Sequence, residues 1–169
     1  PGRVNLIGEH TDYCGLPVLP IAIEQSVFVA ARPRESSDVV AQSRQFPGRV
    51  TLAPGSDHPH VDEPWQYYLR GVLAQLGTLR AGRGAELLID STLPSGGGLS
   101  SSSALTMALF EAFNVIWDLK LTREEVVSRA ITAERSSGAE TGGMDHTIIG
   151  FAQAGAALRI DFLPPARRT

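Results

Sequence analysis

The segment that most restricts what this chain can become is Leu93-Pro94-Ser95-Gly96-Gly97-Gly98-Leu99-Ser100-Ser101-Ser102-Ser103-Ala104. It sets three glycines and a run of four serines between two segments of opposite periodicity. Upstream, Ala85-Glu86-Leu87-Leu88-Ile89-Asp90-Ser91 reads as a strand; downstream, Leu105, Leu109, Phe113 and Ile116 recur every three to four residues, the period of a helix. Glycines let backbone N–H groups approach an anion with no Cβ in the way. The unpaired N–H groups and positive dipole end of the following helix favour negative charge at the same point. A serine hydroxyl in the first turn can cap the helix, bind a phosphate oxygen or ligate Mg²⁺. Standard nucleotide loops do not fit: no lysine follows the glycines, the third glycine of G-x-G-x-x-G is missing, and Gly98-Leu99-Ser100 runs on into Ser101 and Ser102 rather than into G-x-S-x-G.

Two further clusters carry chemistry. The chain opens Pro1-Gly2-Arg3-Val4-Asn5-Leu6-Ile7-Gly8-Glu9-His10-Thr11-Asp12-Tyr13, in which Arg3, Asn5, Glu9, His10 and Asp12 are interleaved with apolar anchors. Selecting one stereoisomer of a polyhydroxyl ligand needs donors and acceptors at fixed angles, and this composition supplies them. Later comes Gly142-Gly143-Met144-Asp145-His146, lying after a helix. Thr122 and Glu125 have the spacing of a capping box for that helix. Glu134 continues its buried stripe, four residues after Ala130 and three after Ile131, which aims a carboxylate inward toward a partner such as a metal ion.

These three segments, in this order, resemble the GHMP kinases and within them the galactokinase group. Pro64-Trp65-Gln66-Tyr67-Tyr68-Leu69-Arg70-Gly71 is similar to the segment that begins a helix near the nucleotide base. The resemblance implies ATP-dependent, Mg²⁺-assisted phosphorylation of galactose, or a similar hexose, at its C1 hydroxyl, the first step of galactose catabolism. It implies Asp145 as the base and Arg3 as its partner at the transferring phosphoryl group. Glu9, His10, Asp12 and Gly142 are implied at the sugar. Gly96, Gly97, Gly98, Leu99, Ser100, Ser101 and Ser102 are implied at the triphosphate, Trp65 and Tyr68 at the adenine, and Ser102 and Glu134 at the Mg²⁺. The chain departs from the group's pattern at Cys14 and Leu16, where asparagine and glycine are usual, and at His146, where glutamine is usual. His146 is expected to be a titrating neighbour of Asp145. Alternatives are a non-catalytic sensor of sugar and ATP, and a GHMP kinase for another hexose.

The same resemblance implies an α+β, two-layer fold like the second domain of ribosomal protein S5. Strands clustered early and helices late agree with α+β. Extended segments are expected over Pro17 to Arg34, Asp38 to Phe46, Arg49 to Ala53 and Ala156 to Phe162, and a helix from Trp65 to about Leu79. Pro54 to Pro64 reads as a solvated loop despite holding Asp57, His58, His60, Asp62 and Glu63, because its prolines oppose regular structure. Residues 1–163 are expected to form the N-terminal domain and 164–169 a connector to a missing C-terminal domain. The 169 residues carry a net charge of −3, which gives no basic field for nucleic acid. No apolar run has the length of a membrane span, and the lone Cys14 excludes an internal disulfide, so a cytoplasmic setting is expected.

Overall fold

The computed structural model describes residues 1–9, 11–54, 63–80, 82–139, 141–163 and 167–169. In chain order it contains strands β1 (Arg3–Asn5), β2 (Pro20–Ala22), β3 (Val27–Arg34), β4 (Val39–Ser43) and β5 (Arg49–Leu52), helix α1 (Trp65–Leu76), strand β6 (Gly84–Ser91), helices α2 (Ser101–Ile116), α3 (Arg123–Ser136) and α4 (Met144–Phe151), and strands β7 (Ile160–Asp161) and β8 (Arg167–Arg168). Four strands form a mixed sheet in the order β3-β6-β4-β5, with β4 parallel to β6 and the other pairs antiparallel.

Alternation along β6 explains why this sheet has one wet face. Ala85, Leu87 and Ile89 are buried, whereas Glu86 and Asp90 point the other way. On that outer face Glu86 pairs with Arg32 and Arg49, and Asp90 with Arg44. The register sets Arg32 directly opposite Glu86. Pro33 is tolerated because β3 is an edge strand, where a missing N–H breaks no ladder bond.

The dry face is covered by helices. Leu69, Val72 and Leu76 of α1, Leu109, Phe110 and Phe113 of α2, and Val126, Ala130 and Ala133 of α3 join Val39, Ala41, Leu87 and Ile89 in one core. Past its end, α2 is pinned to the sheet: Trp117 stacks on Phe113 with ring centroids 4.4 Å apart and donates Nε1–H to Gly84 O at 3.2 Å. At the start of α3 the anticipated capping box is present, Thr122 Oγ1 accepting from Glu125 N and Glu125 Oε2 from Thr122 N. Thr122→Ala is therefore expected to cost about 1 kcal/mol of stability, read as a lower urea midpoint of the intact protein; an unmoved midpoint would contradict this.

The structure departs from the sequence reading in four places. The extended segment expected over Pro17 to Arg34 is broken at Ile23–Ser26: β2 pairs with β1, whereas β3 enters the main sheet. Ser26 makes the bend, its hydroxyl donating to Glu24 O and its carbonyl accepting from Thr92 N. The helix expected to Leu79 ends at Leu76 and tightens into a 3₁₀ turn, Gly77–Arg80. The closing strand shortens to β7, which pairs with β8 and bridges to Val18. Most consequential, the stretch from Met144, to which the sequence reading assigns no element, is helix α4. Thr147, Ile148, Ile149 and Gly150 are poor helix formers, and burial of Met144, His146, Thr147 and Ile148 overrides that propensity. Residues 55–62, with most of the acidic and histidine loop, and 164–166 of the expected connector lie outside the described residues. Among the described residues no helix is long and apolar enough to cross a membrane.

Candidate active site

Strand β1 and helix α4 meet through Arg3 and Asp145. Arg3 Nε donates to Asp145 Oδ1 at 2.6 Å and Nη2 to Oδ2 at 2.9 Å, the bidentate geometry that suits guanidinium and carboxylate. The two side chains are 17% and 19% exposed, so the pair is shielded yet reachable. Asp145 lies in the first turn of α4, where the helix dipole favours a negative charge. Arg3 Nη1 also donates to Gly98 O at 2.7 Å, and Leu99 O accepts from Arg3 N at 3.1 Å. The opening strand is thus bound to the glycine loop at two points.

The loop keeps its cradle geometry by a route the sequence did not suggest. Gly96 and Gly98 have φ of 71° and 68°, which glycine adopts without strain. Ser100 follows at φ 57°, unusual for a side-chain-bearing residue. Its hydroxyl does not cap α2; it hydrogen-bonds Asp145 Oδ2. The first intrahelical bond runs from Ala104 N to Ser100 O at 2.9 Å, so the N–H groups of Ser101, Ser102 and Ser103 precede the ladder and are available to an anion.

On the other side of Asp145, Gly142 lies against the opening segment. A Cβ added to Gly142 would fall 2.5 Å from Asp12 Cγ and 2.7 Å from Tyr13 N. Asp12 begins a short 3₁₀ turn, Asp12–Cys14, steadied by Thr11 Oγ1 donating to Gly8 O at 2.7 Å. The structure therefore brings together Arg3, Asp12, Gly142, Asp145 and the glycine–serine loop. Glu9 is exposed and takes no part in these contacts, and His10 lies outside the described residues.

A second polar group gathers behind the serines. Glu134 is 4% exposed, so the inward direction read from helical spacing holds. Ser103 Oγ donates to its Oε2 at 2.8 Å, and His146 Nε2 lies 2.6 Å from the same oxygen. That second approach is a close polar contact that makes no hydrogen bond among the described residues. Burial alone would push the Glu134 carboxyl up, but His146, Ser102 and Ser103 together hold it below its ordinary value of 4.5. A carboxyl depressed on folding adds stability above its unfolded value that is lost as pH falls through the folded one. Glu134→Gln is thus expected to flatten the fall of stability below about pH 4.5, seen in urea titrations at pH 7 and pH 4; equal slopes for parent and variant would refute it.

His146 is consequently not a neighbour of Asp145's carboxylate. Adjacent residues on a helix point to different sides, and while Asp145 faces Arg3, His146 is fully buried against Glu134. Sequence reasoning also missed Ser103. A signal was there: Ser103 sits one turn before Met107 and two before Phe110 on the buried stripe of α2, and a hydroxyl on such a stripe needs an internal partner.

Trp65 and Tyr68, taken together from sequence, separate in the structure. Trp65 lines an apolar cleft of about 90 Å³ with Val27, Phe46, Ile89, Leu93 and Leu105, which reaches Ser95 and Ser101 of the loop. Its buried Nε1–H has no partner among the described residues. Tyr68 instead lies toward Ser102 and Glu134, where burial and the Glu134 charge push its phenol above its ordinary value against the pull of Ser102. Ser102 and Glu134 are oxygen donors that suit a hard divalent cation. Among the described residues no three His, Cys, Asp or Glu side chains gather into a metal cage. A cation here would complete its shell with phosphate and water oxygens.

A helical layer on a mixed sheet, with an anion cradle at the start of the central helix and a paired aspartate facing it, defines a class. The chain belongs to the GHMP kinases: the family model for the GHMP kinases N terminal domain matches residues 67–153. More particularly, residues 1–33 match the galactokinase galactose-binding signature. The chain is 42% identical over 163 residues to a galactokinase from Chloroflexus aggregans, and 35% identical over 176 residues to one from Dictyostelium discoideum. These alignments cover 95% and 97% of this chain but 42% and 35% of the relatives. Among solved structures, Lactococcus lactis galactokinase complexed with galactose superposes with a TM-score of 0.89 at 32% identity, over all of this chain and 45% of that one. Methanococcus jannaschii mevalonate kinase matches at 0.83 and 19% identity, over 99% of this chain and 53% of that one, which shows the shared fold. The chain thus spans less than half the length of the curated relatives it matches, and membership of this kinase family implies use of ATP.

Proposed function

We infer that the intact protein carrying this domain is a sugar kinase of the galactokinase type, transferring the ATP γ-phosphoryl group to the C1 hydroxyl of galactose. The observation that carries the reading is the bidentate Arg3–Asp145 pair set beside the glycine–serine loop. In it Asp145 takes the proton of the attacking hydroxyl. Among the described residues Oδ2 already receives Arg3 Nη2 and Ser100, whereas Oδ1 receives only Arg3 Nε and keeps a lone pair for that proton. Arg3 neutralises charge on the phosphoryl group in flight. Because such transition states are loose, positioning and charge neutralisation carry most of the catalysis.

In this reading Asp12 and Gly142 hold the sugar, and Glu9 and His10 are assigned to its other hydroxyls. The N–H groups of Ser101 to Ser103 and the loop of Gly96, Gly97, Gly98 and Leu99 hold the triphosphate, and the Trp65 cleft takes the adenine, whose ring nitrogens suit the unpartnered indole N–H. The ionised Glu134 and Ser102 fit Mg²⁺, which would supply charge neutralisation at the β- and γ-phosphates. Residues 1–163 serve as one domain, completed by a second that the relatives' greater length provides for. Cys14, the one cysteine, is compatible with work in the reducing cytoplasm.

The test is a coupled ADP-release assay on the intact protein with a panel of hexoses. Turnover with galactose is expected. Turnover only with another hexose would move the acceptor and point to the Cys14–Leu16 turn as the selector. Calorimetric sugar binding with no turnover would replace the kinase by a sensor.

A further inference from the structure

We propose that His146 and Ser103 are positioning residues for the divalent-cation site, holding one oxygen of Glu134 so that the other is kept for the cation. The proposal rests on the reading above that Glu134 and Ser102 receive Mg²⁺ with ATP. Three helices each contribute one buried polar group to a single point: Ser103 from α2, Glu134 from α3 and His146 from α4, at 1%, 4% and 0% exposure. Both neighbours converge on Oε2, at 2.8 Å and 2.6 Å. A carboxylate has about four lone-pair sites, so Oε1 is left to serve elsewhere. Neither Ser103 nor His146 is exposed, so neither can touch a substrate; each can act only through Glu134.

Rotation about the carboxylate's last bond is soft, and a carboxylate free to turn would have to be ordered each time a cation arrives. Two fixed polar neighbours from two different helices, the Ser103 hydroxyl and the His146 ring, remove that freedom in advance. Outer-shell partners of this kind commonly govern metal affinity by about 10–100-fold. His146 is suited to the task because its ring is locked by complete burial, neither ring nitrogen having a hydrogen-bond partner among the described residues.

The experiment measures ATP affinity of the intact protein by calorimetry twice, with Mn²⁺ and with metal chelated, and takes the ratio. His146→Leu is expected to lower that ratio about tenfold while metal-free ATP affinity stays within about twofold. His146→Gln, which restores a polar N–H group at similar reach, is expected to recover the ratio to within about threefold of the parent. Ser103→Ala is expected to lower it by about threefold or more, and it decides the matter should the leucine variant not fold. A parental ratio in His146→Leu or in Ser103→Ala, or an equal loss of metal-free ATP affinity, would overturn the proposal. So would a parent whose ATP affinity gains nothing from Mn²⁺. Hexose turnover is no part of this readout: a parent that gains from Mn²⁺ but phosphorylates no hexose overturns the function and not this inference.

Discussion

Asp145→Ala in the intact protein is expected to lower kcat by about 10²–10⁴-fold while leaving the dissociation constant for ATP within about threefold of the parent. The side chain faces Arg3 and Ser100, not the serine N–H groups to which we assign the triphosphate, so its loss is expected to fall on the reacting hydroxyl. Arg3→Ala should do comparable damage for two reasons: it strips Asp145 of its bidentate partner, and it frees Gly98 O, which that guanidinium also holds. Asp145→Asn keeps the shape and removes the proton acceptor, so it separates chemistry from packing. Steady-state kinetics with nucleotide calorimetry decide the matter, and near-parental turnover in the alanine variants would remove Asp145 and Arg3 from the reaction.

Gly142→Ala is expected to raise KM for the sugar by about 10–100-fold with little effect on ATP. The new methyl would lie 2.5 Å from Asp12 Cγ and 2.7 Å from Tyr13 N, and the second of these is backbone that cannot rotate away. The turn carrying Asp12 would have to withdraw. Losing one hydrogen bond to a charged group costs about 1.5–3 kcal/mol, which is the stated range at about 1.4 kcal/mol per tenfold. A sugar KM unchanged in a folded Gly142→Ala protein would show that Asp12 and Gly142 do not jointly form the sugar site.

The parts of this molecule that were legible in its sequence are those governed by local rules. Period-two alternation marked β6, apolar spacing marked α2, and Thr122 with Glu125 marked the start of α3. Glu134 could be aimed inward because its neighbours on the helix fixed the stripe. Helix α4 was hidden because its own residues disfavour helix, and only the packing of Met144 against Val18 and Ile160, and of His146 against Glu134, makes it form. Leaving that helix unassigned also misplaced His146, since only helical geometry turns it away from Asp145. The contact of Ser100 was hidden for a similar reason: a left-handed backbone at this position sends the hydroxyl to an aspartate 45 residues away. Long-range contacts of that kind leave no trace in spacing.

The two indoles of the chain have been put to different uses by the fold. Trp117 is stacked on Phe113 and tied to Gly84 deep in the core, whereas Trp65 stands in the cleft beside the serine loop. The molecule's natural fluorescence therefore has two separable sources, one that reports whether the interior is intact and one that reports what occupies the groove.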